Sequence, residues 1–204
     1  MTFRLHRGDL PDGLTFSGAV AIDTETLGLK PHRDRLCLVQ ISGGDGNAEL
    51  VQILPGQTRA PNLEALLRDR SVQKLFHFAR FDVAVLFKTF NVMPEPVWCT
   101  KIASRLVRTY TDRHGLKDLV RELLGTDISK QQQSSDWGAE TLTEAQLAYA
   151  ASDVLYLHQL KEKLEVLLQR EGRTALADAC FAFLPIRAAL DLTGFEDQDI
   201  FSHS

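Results

Sequence analysis

Three cysteines, Cys37, Cys99 and Cys180, are all that 204 residues contain, and no two stand in a CxxC pair. Such wide spacing excludes a disulfide framework and a cysteine metal site, and it suits reduced thiols, the first two set in apolar segments. No apolar run approaches the roughly 20 residues that span a bilayer. The opening segment MTFRLHRGDLPDG also lacks the apolar stretch of a signal peptide. A cytoplasmic protein with no membrane partner is therefore expected. Repeats and low-complexity tracts are missing, since QQQ at 131–133 is too short to count. An excess of positive charge is missing too. The formal net charge of −4 argues against non-specific binding to a long phosphate backbone. With 44% hydrophobic residues the chain can bury one good core, so a single domain over 1–204 with a C-terminal tail from about 191 to 204 is expected.

What the chain does have is a set of acids in telling places. The run AVAID, Ala19 to Asp23, is apolar and β-branched and then meets the polar TETLGL segment. It reads as a buried strand ending at its acid. Side chains alternate along a strand, so Asp23 and Glu25 fall on one face. Two carboxylates so placed repel one another unless a cation lies between them, and hard divalent cations take carboxylate oxygens. The ordinary alternative is an Asp23 that caps the following turn.

In LTEAQLAYAASDVLYL, Thr143 and Gln146 fit a capping box, and Leu147, Ala150, Ala151, Val154, Leu157 and Leu160 recur at helical spacing. Tyr149 and Asp153, four apart, share a face of that helix. An acid in mid-helix amid apolar neighbours calls for a partner, either a metal ion or the tyrosine itself. Asp82 opens the apolar-periodic FDVAVLFKTF just after the strand-like KLFHF. It lies near a strand end or, on the plainer reading, only complements a helix dipole.

Taken together, these motifs are similar to those of the DEDD exonucleases, in the Tyr-type branch that includes ribonuclease D. Asp23 and Glu25 in DTETLGL match the first motif, Asp82 in HFARFD the second, and Tyr149 with Asp153 in YAASD the third. The His-type branch places histidine five residues before the last acid, where this chain has Ala148. RTYTDRHGLKDL, SKQQQSSDW and the chain length look most like the short-RNA members of nanoRNase C type, so the resemblance covers essentially the whole chain. Helical nucleic-acid-binding domains of the ribonuclease D kind do not follow within this sequence. The resemblance implies a ribonuclease H-like fold, removal of nucleoside 5′-monophosphates from RNA 3′ ends, and a ring-like octamer. The tail FEDQDIFSHS, with Phe195, Ile200 and Phe201 among acids, by itself predicts a homo-oligomer if it docks on a neighbour and does not fold back.

Element by element, strands are expected at Ala19 to Asp23, Arg35 to Ser42 and Ala48 to Ile53, the last two joined by a turn at GGDGN. KLFHF and VWC complete five. Helices are expected through LEALLRD, from Phe81 to Phe90, from a cap at Thr100 to Arg108, over Leu116 to Leu124, and from Thr143 to a stop at Gly172. That order gives an α/β protein, a mixed five-stranded sheet flanked by helices of ribonuclease H-like type.

The implied chemistry uses two divalent cations, Mg²⁺ or Mn²⁺, about 3.5 to 4 Å apart. Asp23 would bridge them, Glu25 and Asp153 would complete the site of the attacking water, Asp82 would anchor the second ion, and Tyr149 would orient the water. Leu29 matches the place where related enzymes wedge an apolar side chain between bases, a core role being its alternative. His77 and Arg80 could reach a phosphate. Arg113, His114, Lys117, Lys130 and Gln133 could cap a 5′ phosphate. The basic run from 101 to 121 (Lys101, Arg105, Arg108, Arg113, Lys117, Arg121) could contact substrate or form a solvated face. Trp137 would anchor its loop. The expected partner is short single-stranded RNA. DNA 3′ ends and an idle nucleic-acid-binding module are the alternatives.

Overall fold

The computed structural model describes residues 2–128 and 131–203. Its strands are β1 (Thr2–Arg7), β2 (Ala19–Thr26), β3 (Leu36–Ser42), β4 (Asn47–Gln52), β5 (Gln73–Phe76) and β6 (Val97–Cys99). They form one mixed sheet in the order β1-β4-β3-β2-β5-β6. The hairpins β2–β3 and β3–β4 are antiparallel, while β1–β4, β2–β5 and β5–β6 run parallel. The sheet thus has six strands among the described residues, not the five expected. The extra one, β1, is a half-exposed edge strand that offers no apolar run to read. It is held by its pairing with β4 and by Arg4 and His6, which both bond the buried Glu49 carboxylate.

The central strands show why they form. β3 is buried along its whole length, so LCLVQIS can be apolar on both faces. The turn before β4 places Gly44 and Gly46 at φ 86° and 84°, where a side chain would be strained, and Asp45 accepts a bond from the Asn47 amide. β2 continues past Asp23 to Thr26, so its acids sit within the strand and not at its end.

The helices are α1 (Pro61–Arg68), α2 (Ala79–Phe90), α3 (Thr100–Val107), α4 (Leu116–Leu119) continuing as a π turn (Val120–Leu124), α5 (Glu144–Leu155), α6 (Leu157–Arg170) and α7 (Thr174–Leu192). The capping box at Thr143 forms with both of its hydrogen bonds. The single helix expected from there to Gly172 is instead two, meeting at Tyr156, and Gly172 does close the second at φ 63°. Thr100 is not a cap. It is the first helical residue, and its hydroxyl goes to the Phe76 carbonyl and to His77 Nδ1. The strand at KLFHF stops at Phe76, which frees His77 and Phe78 to line a cavity. α7 is not expected from the sequence, because its interior Pro185 and its apolar residues on several sides hide a helical stripe. α5 packs over β2, β3 and β4, whereas α2 packs against α7 and the sheet. No helix among the described residues is long and apolar enough to cross a membrane.

Candidate active site

Alternation along β2 sends Asp23 and Glu25 to the side covered by α5 and Thr24 to the other. α5 brings Asp153 to meet the pair. Ligand oxygens of Asp23, Glu25 and Asp153 all lie within 4.8 Å of one another. One helical turn before Asp153, the Tyr149 hydroxyl bonds its carboxylate. Asp82, buried in the first turn of α2, accepts a 2.7 Å hydrogen bond from Thr24 Oγ1 and faces the same cavity of about 310 Å³. Three separate elements therefore deliver four carboxylates and a phenol to one space.

Burial shifts all four acids upward, and crowding by neighbouring acids adds to it at Asp23 and Glu25. Asp23 is held well above the usual carboxylate range by burial first, then by Asp82, Asp153 and Glu25. Burial, with Asp153 and Asp82, pushes Glu25 up to about 9. Asp82 and Asp153 are pushed up to about 7 by burial, against the hydrogen bonds from Thr24 and Tyr149 respectively. The Tyr149 phenol is raised as well, by burial and then by Asp153, Glu25 and Asp23. Acids that resist ionisation together become ligands once a cation offsets their charge, and a set of oxygen donors suits a hard divalent ion. The donor set fits such an ion.

The same cavity gathers His77, Lys117 and Gln133 of the expected substrate contacts. Leu29 is 88% exposed, which removes the core reading, and it lines an adjoining cavity of about 300 Å³ with Arg80. Phe78 and Phe81 border both spaces. Arg80 spends its fork on Asp191 of α7, at 2.5 and 2.7 Å, and on the Glu196 carbonyl. Arg113 is exposed, and its carbonyl accepts from Arg108 at 2.6 Å. His114 Nδ1 sits 2.8 Å from Ser104 Oγ. Neither lines the cavity. Lys130 lies outside the described residues. Trp137 is buried with its ring centroid 6.1 Å from that of Tyr149, an anchor for its loop.

The basic run divides. Arg108 is fully buried and paired with Glu122, and Arg121 pairs with Asp118 at 3.1 Å, whereas Lys101 and Lys117 face the acids. Lys101 was not singled out from its neighbours, although the sequence held a signal. A lysine in the first turn of α3 opposes the helix dipole, a cost that a nearby anion would offset. Its ammonium lies 4.3 Å over the half-exposed Phe78 ring.

A mixed sheet whose central strand carries convergent acids beneath flanking helices defines a nuclease of ribonuclease H-like fold. Residues 11–169 match a family described as 3′-5′ exonuclease. Ribonuclease D of Gluconacetobacter diazotrophicus is 40% identical over 154 residues, which is 76% of this chain and 39% of that protein. This chain therefore spans about two-fifths of that curated relative's length. NrnC of Brucella melitensis with bound Mg²⁺ is 64% identical with a TM-score of 0.95, and the same protein bound to pGG is 64% identical with a TM-score of 0.96, each over 100% of both chains. The chain belongs to the 3′-5′ exonuclease family and stands within it beside NrnC.

Proposed function

We propose that this protein is a divalent-metal-dependent 3′-5′ exoribonuclease, one domain over residues 1–204, that hydrolyses short RNA down to dinucleotides into nucleoside 5′-monophosphates. The convergence of Asp23, Glu25 and Asp153 within 4.8 Å carries the reading, with Asp82 and Tyr149 at the same cavity. NrnC, similar over its full length, has been seen with Mg²⁺ and with pGG, which supports the ion and the short substrate.

Asp23, Glu25 and Asp153 would hold one cation, and Asp23 with Asp82 a second, Mg²⁺ or Mn²⁺. When bound, the cations supply Lewis acidity at the phosphate and lower the pKa of the attacking water. The residues do the rest. Tyr149, a phenol whose ordinary pKa of about 10 makes it a poor base near neutral pH, would act as a fixed hydroxyl that orients the water. Water adds to phosphorus in line as the bond to the 3′-oxygen breaks, and that oxygen leaves with a proton. Lys101 and Lys117 place positive charge beside the phosphates, and Gln133 and His77 add hydrogen-bonding groups. Leu29 and Phe78, both exposed at the rim, offer apolar surface to the bases. The cavity of about 310 Å³ suits a substrate of a few nucleotides, whose turnover would take place in the cytoplasm.

Labelled RNA and DNA oligonucleotides of two to ten nucleotides, incubated with Mg²⁺, with Mn²⁺ and with chelator, test this. Mononucleotide release from the 3′ end, fastest on the shortest RNA and abolished by chelator, is the expected result. Equal turnover in chelator would overturn the metal assignment, and faster turnover of DNA would overturn the substrate.

A further inference from the structure

Gln40 lies in the middle of β3, fully buried, and both polar atoms of its side chain are without a hydrogen-bond partner among the described residues. Buried carboxamides are normally satisfied, because an unpaired one forfeits the bonds it made with water. Packing does not explain its retention. On the same face it is flanked by Leu38 two residues earlier, by Leu50 directly across on β4, and by Ser42 two residues later, whose hydroxyl is satisfied by the Asn47 carbonyl. A leucine or methionine would fill the same volume without an orphaned amide. Its partner on the other side is Asp23, registered opposite Gln40 in the antiparallel β2–β3 pair. Residues so opposed point to the same face, with Cβ atoms about 4.5–5.5 Å apart, within reach of a glutamine amide to a carboxylate.

We propose that Gln40 is a positioning residue for Asp23: its Nε2–H₂ donates to one Asp23 oxygen when a divalent cation is held there, which fixes the rotamer that ligates. A neutral donor suits the place. A lysine there would hold Asp23 equally well but would cancel charge that the cation needs, whereas an amide leaves the acids' charge intact. Carboxylates that ligate metal ions are commonly held in this way from behind. The inference rests on the metal-dependent reading above, and the experiment separates the two.

The test compares wild type, Gln40→Met and Asp23→Ala by Mn²⁺ titration and by melting temperature in chelator. Wild type should bind the ion and Asp23→Ala should bind it far more weakly; a wild type without saturable binding would sink the metal reading itself. Gln40→Met should melt in chelator at or above the wild-type temperature, because an orphaned amide is gone. Its half-saturating Mn²⁺ concentration should rise about 10- to 100-fold. At saturating metal, kcat should fall while KM for a dinucleotide stays unchanged. An Mn²⁺ titration that superimposes on wild type, whatever the melting temperature, overturns the role of Gln40 and leaves the metal reading standing. Should Gln40→Met fail to fold, a crystal structure of the wild type with Mn²⁺ decides. Nε2 within about 3.2 Å of an Asp23 oxygen supports the proposal, and a longer separation overturns it.

Discussion

Thr24 Oγ1 donates a 2.7 Å hydrogen bond to Asp82 Oδ1, linking the central strand to the first turn of α2. Thr24 stands between Asp23 and Glu25 but points to the opposite side of β2, so the tripeptide sends acids one way and a tether for a third acid the other. That bond is the largest of the contacts that oppose the rise of the Asp82 pKa caused by burial, ahead of backbone bonds from Asp82 and Thr24. Thr24→Val keeps the shape and removes the donor. The variant should fold, need a higher Mg²⁺ concentration, and show an acidic limb of its pH–rate profile displaced upward by about one pH unit. Rate measurements over pH 6 to 9 at several Mg²⁺ concentrations check this, and a profile identical to wild type would mean that Thr24 only packs.

The raised carboxylates make a prediction about the metal-free protein. Asp82 and Asp153, up at about 7, and Glu25, at about 9, hold protons in the folded state that the unfolded chain gives up near pH 4. Their contribution to stability is fully present below that pH and is lost as pH rises through 7 and 9. In chelator the melting temperature should therefore fall between pH 6 and pH 9. With Mg²⁺ the trend should weaken or invert, because binding requires the ionised acids. Asp23→Ala removes one of the repelling groups, so it should melt in chelator no lower than wild type while losing turnover. Thermal denaturation with and without the ion reads all three, and a melting temperature that climbs from pH 6 to 9 in chelator would contradict the geometry.

Tyr149→Phe deletes the hydroxyl that bonds Asp153 but leaves the ring packed against Trp137. Turnover should drop by about 10- to 100-fold with little change in KM, since what is lost orients a water and an acid and does not bind the oligonucleotide. Steady-state kinetics on a dinucleotide make the distinction. A raised KM at constant kcat would make Tyr149 a substrate-binding residue instead.

How much of this could be read in the chain depends on what kind of signal each part leaves. Asp23 with Glu25, and Tyr149 with Asp153, could be assigned to shared faces because period-two and period-four spacings fix faces regardless of tertiary detail. Asp82 was marked only by its place at the start of a helical segment after a strand, and the structure brings all five to one cavity. The central strands were legible because burial on both faces makes them apolar runs. β1 was not, since only Phe3 and Leu5 alternate with Arg4 and His6 in an edge strand largely in water, too short a pattern to stand out. α7 was hidden by Pro185 and by having apolar residues on more than one side. Arg80 differs again: a guanidinium in a motif suits a phosphate, and only the fold reveals that Asp191, 111 residues away, takes its fork. The orphaned amide of Gln40 could not be seen at all without the sheet register.

Arg80 now predicts a structural defect more than a binding one. It holds Asp191 with two hydrogen bonds and the Glu196 carbonyl with a third, while Arg187 keeps a separate hold on Asp191. Because the Arg80 side chain is partly exposed and Asp191 retains Arg187, Arg80→Ala should cost only about 1 kcal/mol. The loosened segment after α7 should also become more susceptible to protease. Denaturant melts and limited proteolysis test this. A large rise in KM without a change in stability would return Arg80 to the substrate.

The last expectation concerns assembly. Arg187 bonds the carbonyls of Phe195 and Gln198, and the Phe201 ring lies 5.8 Å from Phe183, so the tail folds back along α7. Folding back does not bury it: Phe201 remains 76% exposed and Ile200 45%. Leu176 and Ile186 of α7 and Val166 of α6 are exposed as well. Large apolar side chains left in water along neighbouring helices favour a partner surface, and closed symmetric assembly is its usual form. The protein should therefore be a homo-oligomer, with an octamer as the form the family resemblance implies. A neighbouring subunit would also help enclose a short substrate and keep out long or folded RNA by sterics. Light scattering at micromolar concentration should give a multiple of 22.8 kDa. Deleting residues 195–204 should lower that mass if the tail is part of the contact, and Ile186→Glu should lower it if α7 is. A mass of one chain in the full-length protein would refute the oligomer outright, and it would leave the fit of short substrates to the cavity of a single chain.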